Sequence, residues 1–422
     1  MFDIIVLGAG IAGSSFAYKI SKHAKTLLIE AKEKESLPIS TNIYPEHNKE
    51  FLKSDEVNYS DKSMFPCVFR TINYMDKNQD GIINSDDFGA PFGYISYTEK
   101  LIGSLLDKFE DQGGIARFNE KVSKISRSNE KVEIITNKGE SFEGKIVAIA
   151  TGSYDFDLQR SLGFGAPDSY YGIYTHFFGD EDTLKKNIKT DYTFHLNSNV
   201  SQNGPLFINR GIDRISVGFL GSEKITYEDL NSKFERILNN YKPIQSFIKD
   251  LKRAPSKPVF GKISKHPISQ FSKNRSIVLG EAAGLVTAFF YEGLLGGVAC
   301  AELATRTVKT LFEKESNFAQ DELKSYDGDI KRILDPYYKT GEASEILFYN
   351  SGSKFDTLWD VYTKLIKSNK TVKKYIWEAI IRQDIENHDI QRDKWTGEQI
   401  FNNLPLLSKV TYWPHFLKAM IK

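Results

Sequence analysis

The chain has 422 residues in which 56 Lys and Arg nearly balance 55 Asp and Glu, so charge gives no argument for a nucleic-acid partner. Its length predicts two or three units sharing a large core, and its two cysteines, Cys67 and Cys300, are too few and too far apart for a disulfide framework. No apolar run is long enough to span a bilayer, and the first residues read as a strand rather than a secretion signal, which together predict a cytoplasmic protein.

Asp3 to Leu7 is an apolar run of the kind that forms a buried parallel strand. Gly8-Ala9-Gly10-Ile11-Ala12-Gly13 follows at once, then Ser14 and a helical pattern to Ser21, then a second apolar run from Thr26 to Ile29 that ends at Glu30. This is G-x-G-x-x-G between strand and helix, with an acid about twenty residues on, which predicts a dinucleotide site. Gly8 permits the tight turn, Gly10 lets a pyrophosphate approach the backbone, and Gly13 lets helix pack on strand. The unpaired N–H groups at the start of the helix, around Ile11 and Ala12, favour phosphate. Glu30 is placed to accept both hydroxyls of an adenosine ribose, and Lys32, after Ala31, to approach an adenosine phosphate. The motif by itself serves FAD or NAD.

A polar, irregular stretch runs to about Lys62, and residues 64–75 suit one or two strands. Asp76 to Asp87 then matches a calcium loop: Asp76, Asn78 and Asp80 at positions 1, 3 and 5, Gly81 at 6, the Ile82 carbonyl at 7, Asn84 at 9 and Asp87 at 12, where Glu is usual. A hairpin turning at Gln79-Asp80-Gly81 explains the same residues. Ser96 to Gln112 reads as a helix ended by Gly113-Gly114, and short strands follow at Val122 to Ile125, Val132 to Ile135 and Lys145 to Ala150, the last ending at Thr151-Gly152. Between residues 165 and 265 the pattern changes to strands of an antiparallel sheet, interrupted by a helical hairpin at roughly Tyr227 to Lys252. Ser276 to Leu279 is a further strand. Gly280-Glu281-Ala282-Ala283-Gly284 follows, and Glu292-Gly293-Leu294-Leu295 opens a long helix. The remainder is mainly helical, with Trp359, Trp377, Trp395 and Trp413 read as packing residues.

Three blocks, Gly8 to Glu30, Ile146 to Gly152 and Ile277 to Gly297, together resemble FAD-dependent oxidoreductases of the glutathione-reductase-like class. Within it the layout is most similar to the geranylgeranyl reductase family, related to flavin monooxygenases and halogenases. The third block looks like that family's V-G-D-A-A-G…E-G-I run, with Glu281 in place of Asp. The resemblance implies an α/β fold with a Rossmann-like FAD-binding domain (residues 1–164 and 266–312), an antiparallel β-sheet substrate domain (165–265) and a helical C-terminal region (313–422). It implies flavin contacts at Val122, at Ala150, Thr151 and Gly152, at Gly280, Glu281 and Gly284, and at the N–H groups of Gly293, Leu294 and Leu295.

The activity it implies is reduction of carbon–carbon double bonds in geranylgeranyl or other polyprenyl chains, with electrons from a ferredoxin- or NAD(P)H-linked donor and contact with a membrane surface. A flavin monooxygenase or halogenase and a non-catalytic FAD-binding protein are the alternatives. The family's P-x-x-Y-x-W-x-F-P strand is here Gly204 to Asn209, without Tyr or Trp, and its cysteine after the second strand is missing; the hydroxylases' D-G motif is here Thr151-Gly152, and the halogenases' W-x-W-x-I-P is absent. Phe289, Phe290 and Tyr291 either face the isoalloxazine or are core aromatics. Tyr291, His176 and Cys67 are the candidate proton donors, and Tyr174, Phe194, Phe207 and Phe219 the expected wall of an apolar channel.

Overall fold

The computed structural model describes residues 1–37, 39–44, 57–201, 203–349, 355–381 and 389–421; the part of the irregular polar stretch at 45–56 lies outside them. Ile4, Ile5, Val6 and Leu7 are buried on both faces of the strand Phe2–Leu7, as a central parallel strand requires. It pairs in parallel with Thr26–Ile29 on one side and Ser141–Ile149 on the other. Ile115–Arg117 and Ser276–Val278 extend the sheet in parallel at either end, and Val122–Arg127 with Val132–Thr136 joins Ser141–Ile149 as an antiparallel hairpin. Helix Ile11–Ser21 lies against this sheet and under two further helices, Thr98–Asp111 and Leu294–Glu313. The second contact carries a buried ion pair, Lys19 to Glu302 at 3.2 Å. Helix Thr98–Asp111 buries Leu101, Ile102, Leu105, Leu106 and Phe109, the stripe its spacing predicts.

The second large sheet contains the four strands expected of it, Asp168–Phe178, Tyr192–His195, Leu206–Arg210 and Arg214–Leu220. Val259–Lys265 returns antiparallel to Asp168–Phe178, after helices Tyr227–Asn240 and Lys242–Phe247. Two more strands come from far earlier in the chain. Thr71–Met75 pairs in parallel with Tyr192–His195, and Asp80–Asn84 pairs with Thr71–Met75. Asp191 fixes this junction: its carboxylate accepts the N–H groups of Arg70 and Thr71 at 2.9 Å each and pairs with Arg210 at 2.5 Å. The sheet thus reaches outside residues 165–265. Periodicity identifies a strand but not a partner more than a hundred residues away. A small third sheet of Thr41–Tyr44, Cys67–Phe69 and Gly93–Tyr97 bridges the two large ones.

Residues 71–84 form a hairpin and not a calcium loop. Asp76 Oδ1 accepts the N–H groups of Asn78 (2.5 Å) and Gln79 (2.8 Å), Asp80 Oδ1 accepts from Asn73 Nδ2 (2.9 Å), Ile82 sits within a strand, and Asn84 caps the short helix Ser85–Asp87. Asp87 is exposed and apart from the turn. No group of three or more potential metal-ligating side chains gathers among the described residues, as a calcium site would need. Asp76→Ala is therefore expected to cost about 1–2 kcal/mol through the lost turn acceptor, with melting of the wild type indifferent to millimolar calcium or chelator. A calcium-dependent rise in melting temperature would restore the loop.

The C-terminal region is a set of helices, Gln320–Phe348, Phe355–Ser368, Lys370–Ile381, Ile390–Asn402 and Leu406–Ile421. Trp359 is fully buried among Phe289, Phe348, Phe355 and Tyr362, and Trp377 donates to the Ala90 carbonyl at 2.9 Å. Trp413 departs from the packing role, since it is 46% exposed. None of the described helices is long and apolar enough to cross a membrane.

Candidate functional site

The three glycine-rich blocks meet at the ends of the first sheet's strands. Gly8 has φ +102°, and a Cβ there would lie 2.3 Å from the Ala150 carbonyl oxygen; a Cβ on Gly13 would lie 2.0 Å from that of Gly8. Both glycines are required by the fold itself. Gly10 is different. A Cβ on it would meet nothing within 4 Å, and as the residue before Ile11 it offers no side-chain cap. Helix Ile11–Ser21, whose first residues are Ile11 and Ala12, thus starts uncapped beside open space at Gly10, an arrangement suited to a pyrophosphate. Ser14 turns inward, donating to the Ala9 carbonyl at 3.0 Å.

Glu30 ends the second strand, as expected, and also braces the loop: its carboxylate accepts the N–H groups of Ala9 (2.7 Å) and Lys32 (2.9 Å). A carboxylate has further lone pairs for a ribose. Beyond Ala31, the Lys32 ammonium sits 4.5 Å over the Tyr154 ring. The Val122 side chain is buried in the core.

Ala150 takes the Leu7 carbonyl, which carries Thr151 and Gly152 alongside Gly8. Gly280 (φ +59°) and Gly284 (φ +75°) turn the chain after Ser276–Val278. A Cβ on Gly280 would press on Ala12, and one on Gly284 on the His266 carbonyl. Glu281 accepts the Ser264 N–H at 3.1 Å, and burial pushes its carboxyl up. The three blocks thus touch one another, Gly8 against Ala150 and Thr151, and Gly280 and Gly297 against Ala12 and Ile11, while Val122 packs in the core and Ser14 turns inward.

The second helix N-terminus differs from expectation. Gly293 precedes helix Leu294–Glu313, but the N–H groups of Leu294 and Leu295 are taken by the Glu292 carboxylate, at 2.8 and 3.4 Å. Burial pushes this carboxyl up to about 7, against the pull of those two bonds. Acids are favoured beside a helix N-terminus, so a pairing of Glu292 with this helix start was legible in the sequence and was missed. The loop before it is pinned at Thr287, whose N–H donates to the Glu292 carbonyl at 3.1 Å and whose carbonyl accepts the Tyr291 N–H at 2.9 Å. Tyr291 is held at φ +55°, an unfavourable conformation for a side chain with Cβ.

Phe290 and Glu292 stand where two cavities adjoin. One, about 170 Å³, lies between the second sheet and residues Ser40 to Ile43, lined also by Tyr174, Phe207 and Tyr291. The other, about 190 Å³, runs from Phe194 and Phe290 into the C-terminal helices. Both are lined by Ile43, Tyr192, Phe290 and Glu292. Phe290 is half-buried and stacks on Phe194, ring centroids 4.5 Å apart; Phe289 is buried among core aromatics.

Of the four expected wall residues, Phe219 is misplaced. In Arg214–Leu220, Ser216 and Leu220 face the cavity while Ile215, Val217 and Phe219 pack beneath the helical hairpin, the alternation that a strand imposes.

His176 does not reach the cavity wall either. Its Nε2 donates to the Ile39 carbonyl at 3.2 Å, which leaves Nδ1 to accept from the Ser216 hydroxyl at 3.0 Å. Burial lowers its pKa, so it stays neutral and orients Ser216. Cys67 lines neither cavity, and burial pushes its thiol up to about 12. Tyr291 faces the cavity, with burial raising its pKa well above the ordinary value.

No protein-family model matches the sequence, nor does any curated protein. Solved structures match its fold over nearly the whole chain. A geranylgeranyl bacteriochlorophyll reductase-like protein from Thermoplasma acidophilum aligns with TM-score 0.72 at 16% identity, over 95% of this chain and 97% of that one. A flavin-dependent brominase aligns with TM-score 0.73 at 13% identity, over 95% and 98%. A p-nitrophenol 4-monooxygenase from Pseudomonas putida aligns with TM-score 0.73 at 14% identity, over 92% and 99%. The fold is thus the Rossmann-like one, with an antiparallel sheet and a helical C-terminal region, shared by these proteins.

Proposed function

We propose that the protein is an FAD-dependent oxidoreductase that reduces carbon–carbon double bonds of a polyprenyl chain. The residues fit FAD on their own terms. The open space in front of Gly10 and the acid at Glu30 are set for pyrophosphate and ribose. Reduced by an electron donor, ferredoxin- or NAD(P)H-linked, bound FAD would supply a hydride.

The chain's own residues supply the setting. Phe290, Tyr174 and Phe207 give an apolar wall, and Glu292, with its carboxyl near neutrality, can hold and return the proton that completes each reduction. The observation that carries the reading is the succession of cavities. The 190 Å³ cavity shares Thr340, Ser344, Leu347, Asp393 and Gly397 with a third, of about 560 Å³, so neighbouring cavities reach from Phe290 into the C-terminal helices.

Two experiments test this. Anaerobically, chemically reduced holoprotein is mixed with geranylgeranyl lipids, and flavin reoxidation should accompany a mass gain of two hydrogens per bond. If reoxidation needs oxygen and no lipid gains mass, a monooxygenase or halogenase takes the reductase's place. Gly397 lies on a helix, and a Cβ there meets nothing within 4 Å. Gly397→Trp should therefore fold, bind FAD normally and lower kcat/KM for long chains at least about tenfold. Unchanged turnover would show that the chain does not pass this way.

A further inference from the structure

Among the described residues thirteen large apolar side chains are exposed, and seven of these lie on Leu406–Ile421. Leu406, Val410, Trp413, Leu417 and Met420 recur at i, i+4, i+7, i+11 and i+14, which places them on one face. Leu407 and Ile421, both 85% exposed, widen it. The opposite face is the packed one, with Tyr412 and Phe416 buried. Lys409 and Lys418 fall on either edge of the exposed stripe, and no Asp or Glu follows Glu398 in the chain. The 560 Å³ cavity opens beside the same stripe: Trp413, Met420 and Ile421 line it while remaining exposed, and so does Ile390, which is 40% exposed.

We propose that this helix seats the protein on a bilayer bearing anionic headgroups, with the mouth of the cavity facing the acyl region. The helix carries the features of an interfacial one: an apolar face, a Trp within it, lysines at its borders and no acid to repel phosphate. A second copy of the chain fits less well. A two-fold pairing of this helix would set Lys409 and Lys418 of two chains together with no acid on the helix to answer them, and would cover the cavity mouth. The passage of a lipid through that mouth rests on the proposed lipid chemistry; the docking does not.

The test uses the full-length holoprotein and two kinds of vesicle, phosphatidylcholine alone and phosphatidylcholine mixed with phosphatidylglycerol. The protein should sediment with the mixed vesicles, and much less with phosphatidylcholine or at high salt. Val410→Asp with Leu417→Asp, at exposed positions, should keep the melting temperature and lower the partition at least about tenfold. Lys409→Glu with Lys418→Glu should abolish the preference for the anionic lipid. The Asp double variant should still reduce a detergent-solubilised polyprenyl lipid. Vesicle binding without any lipid turnover would sink the chemistry and leave the docking. Turnover without vesicle binding would sink the docking alone. A wild type that ignores vesicles but forms a dimer, broken by the Asp double variant, would assign the face to a second copy and overturn the proposal.

Discussion

Gly10→Val is expected to weaken FAD binding by about a hundredfold or more, near 3 kcal/mol, while leaving the melting temperature of the flavin-free protein unchanged. The two halves of that expectation come from one measurement. A Cβ at residue 10 meets no protein atom within 4 Å, and the backbone there is extended, with φ −68°. Nothing in the fold resists the added side chain, so what it displaces is the ligand that approaches the first turn of Ile11–Ser21. Gly13→Ala is the contrasting control. Its methyl would lie 2.0 Å from the Gly8 carbonyl oxygen, an overlap that costs several kcal/mol and reaches stability whether or not flavin is present. Flavin titration and thermal melting of both variants separate the two roles. Gly10→Val with wild-type affinity would remove the loop from the binding site.

Glu292→Gln should make the flavin-free protein more stable above neutral pH, by as much as about 3 kcal/mol, and change little near pH 4. The Glu292 carboxyl is raised from 4.5 to about 7 by burial. A raised carboxyl keeps its proton in the folded state while the unfolded chain releases it. The stability linked to this group is therefore fully present below the unfolded pKa and is lost as pH rises through about 7. Glutamine occupies the same volume, still offers an oxygen to the Leu294 N–H and has no proton to lose. Urea unfolding from pH 4 to 8 gives the comparison, and parallel pH profiles for the two proteins would show that Glu292 is not the group responsible. The same substitution should slow lipid reduction if Glu292 returns the proton.

Local patterns made much of this molecule readable in advance. The glycines of the first block, the acid at Glu30 and the apolar stripe of Leu101 to Phe109 act through neighbours within a few residues or one element, and each sits where its spacing puts it. What was not readable depends on contacts between distant residues. The attachment of Thr71–Met75 to Tyr192–His195 is fixed by Asp191, whose partners Arg70 and Thr71 lie about 120 residues away. Phe219 could be seen as a strand residue, but which face it takes is set by register with Asp168–Phe178, where it stands opposite Ile173. The oxygens of Asp76 to Asp87 match a ligand pattern in order and type, yet Asp76 and Asn84 accept backbone N–H groups of their own turns and Asp80 accepts the Asn73 side-chain amide. That the Glu292 carboxylate folds back onto the Leu294 and Leu295 N–H groups depends on the path of the loop before it, which spacing does not give.

The Asp191 clasp also bears on how the chain reaches this state. The second sheet cannot close until residue 191 has joined residue 71, and the first lacks its Ser276–Val278 strand until later still. Neither sheet is a complete N-terminal unit able to fold while the rest is being synthesised. Until then the hairpin Thr71–Asn84 must wait with Ile72, Tyr74 and Ile83, all fully buried in the finished fold, uncovered. Such long-range pairing slows folding and leaves an unpaired strand edge exposed meanwhile, so a fragment that ends before Asp191 is expected to aggregate where the full chain does not.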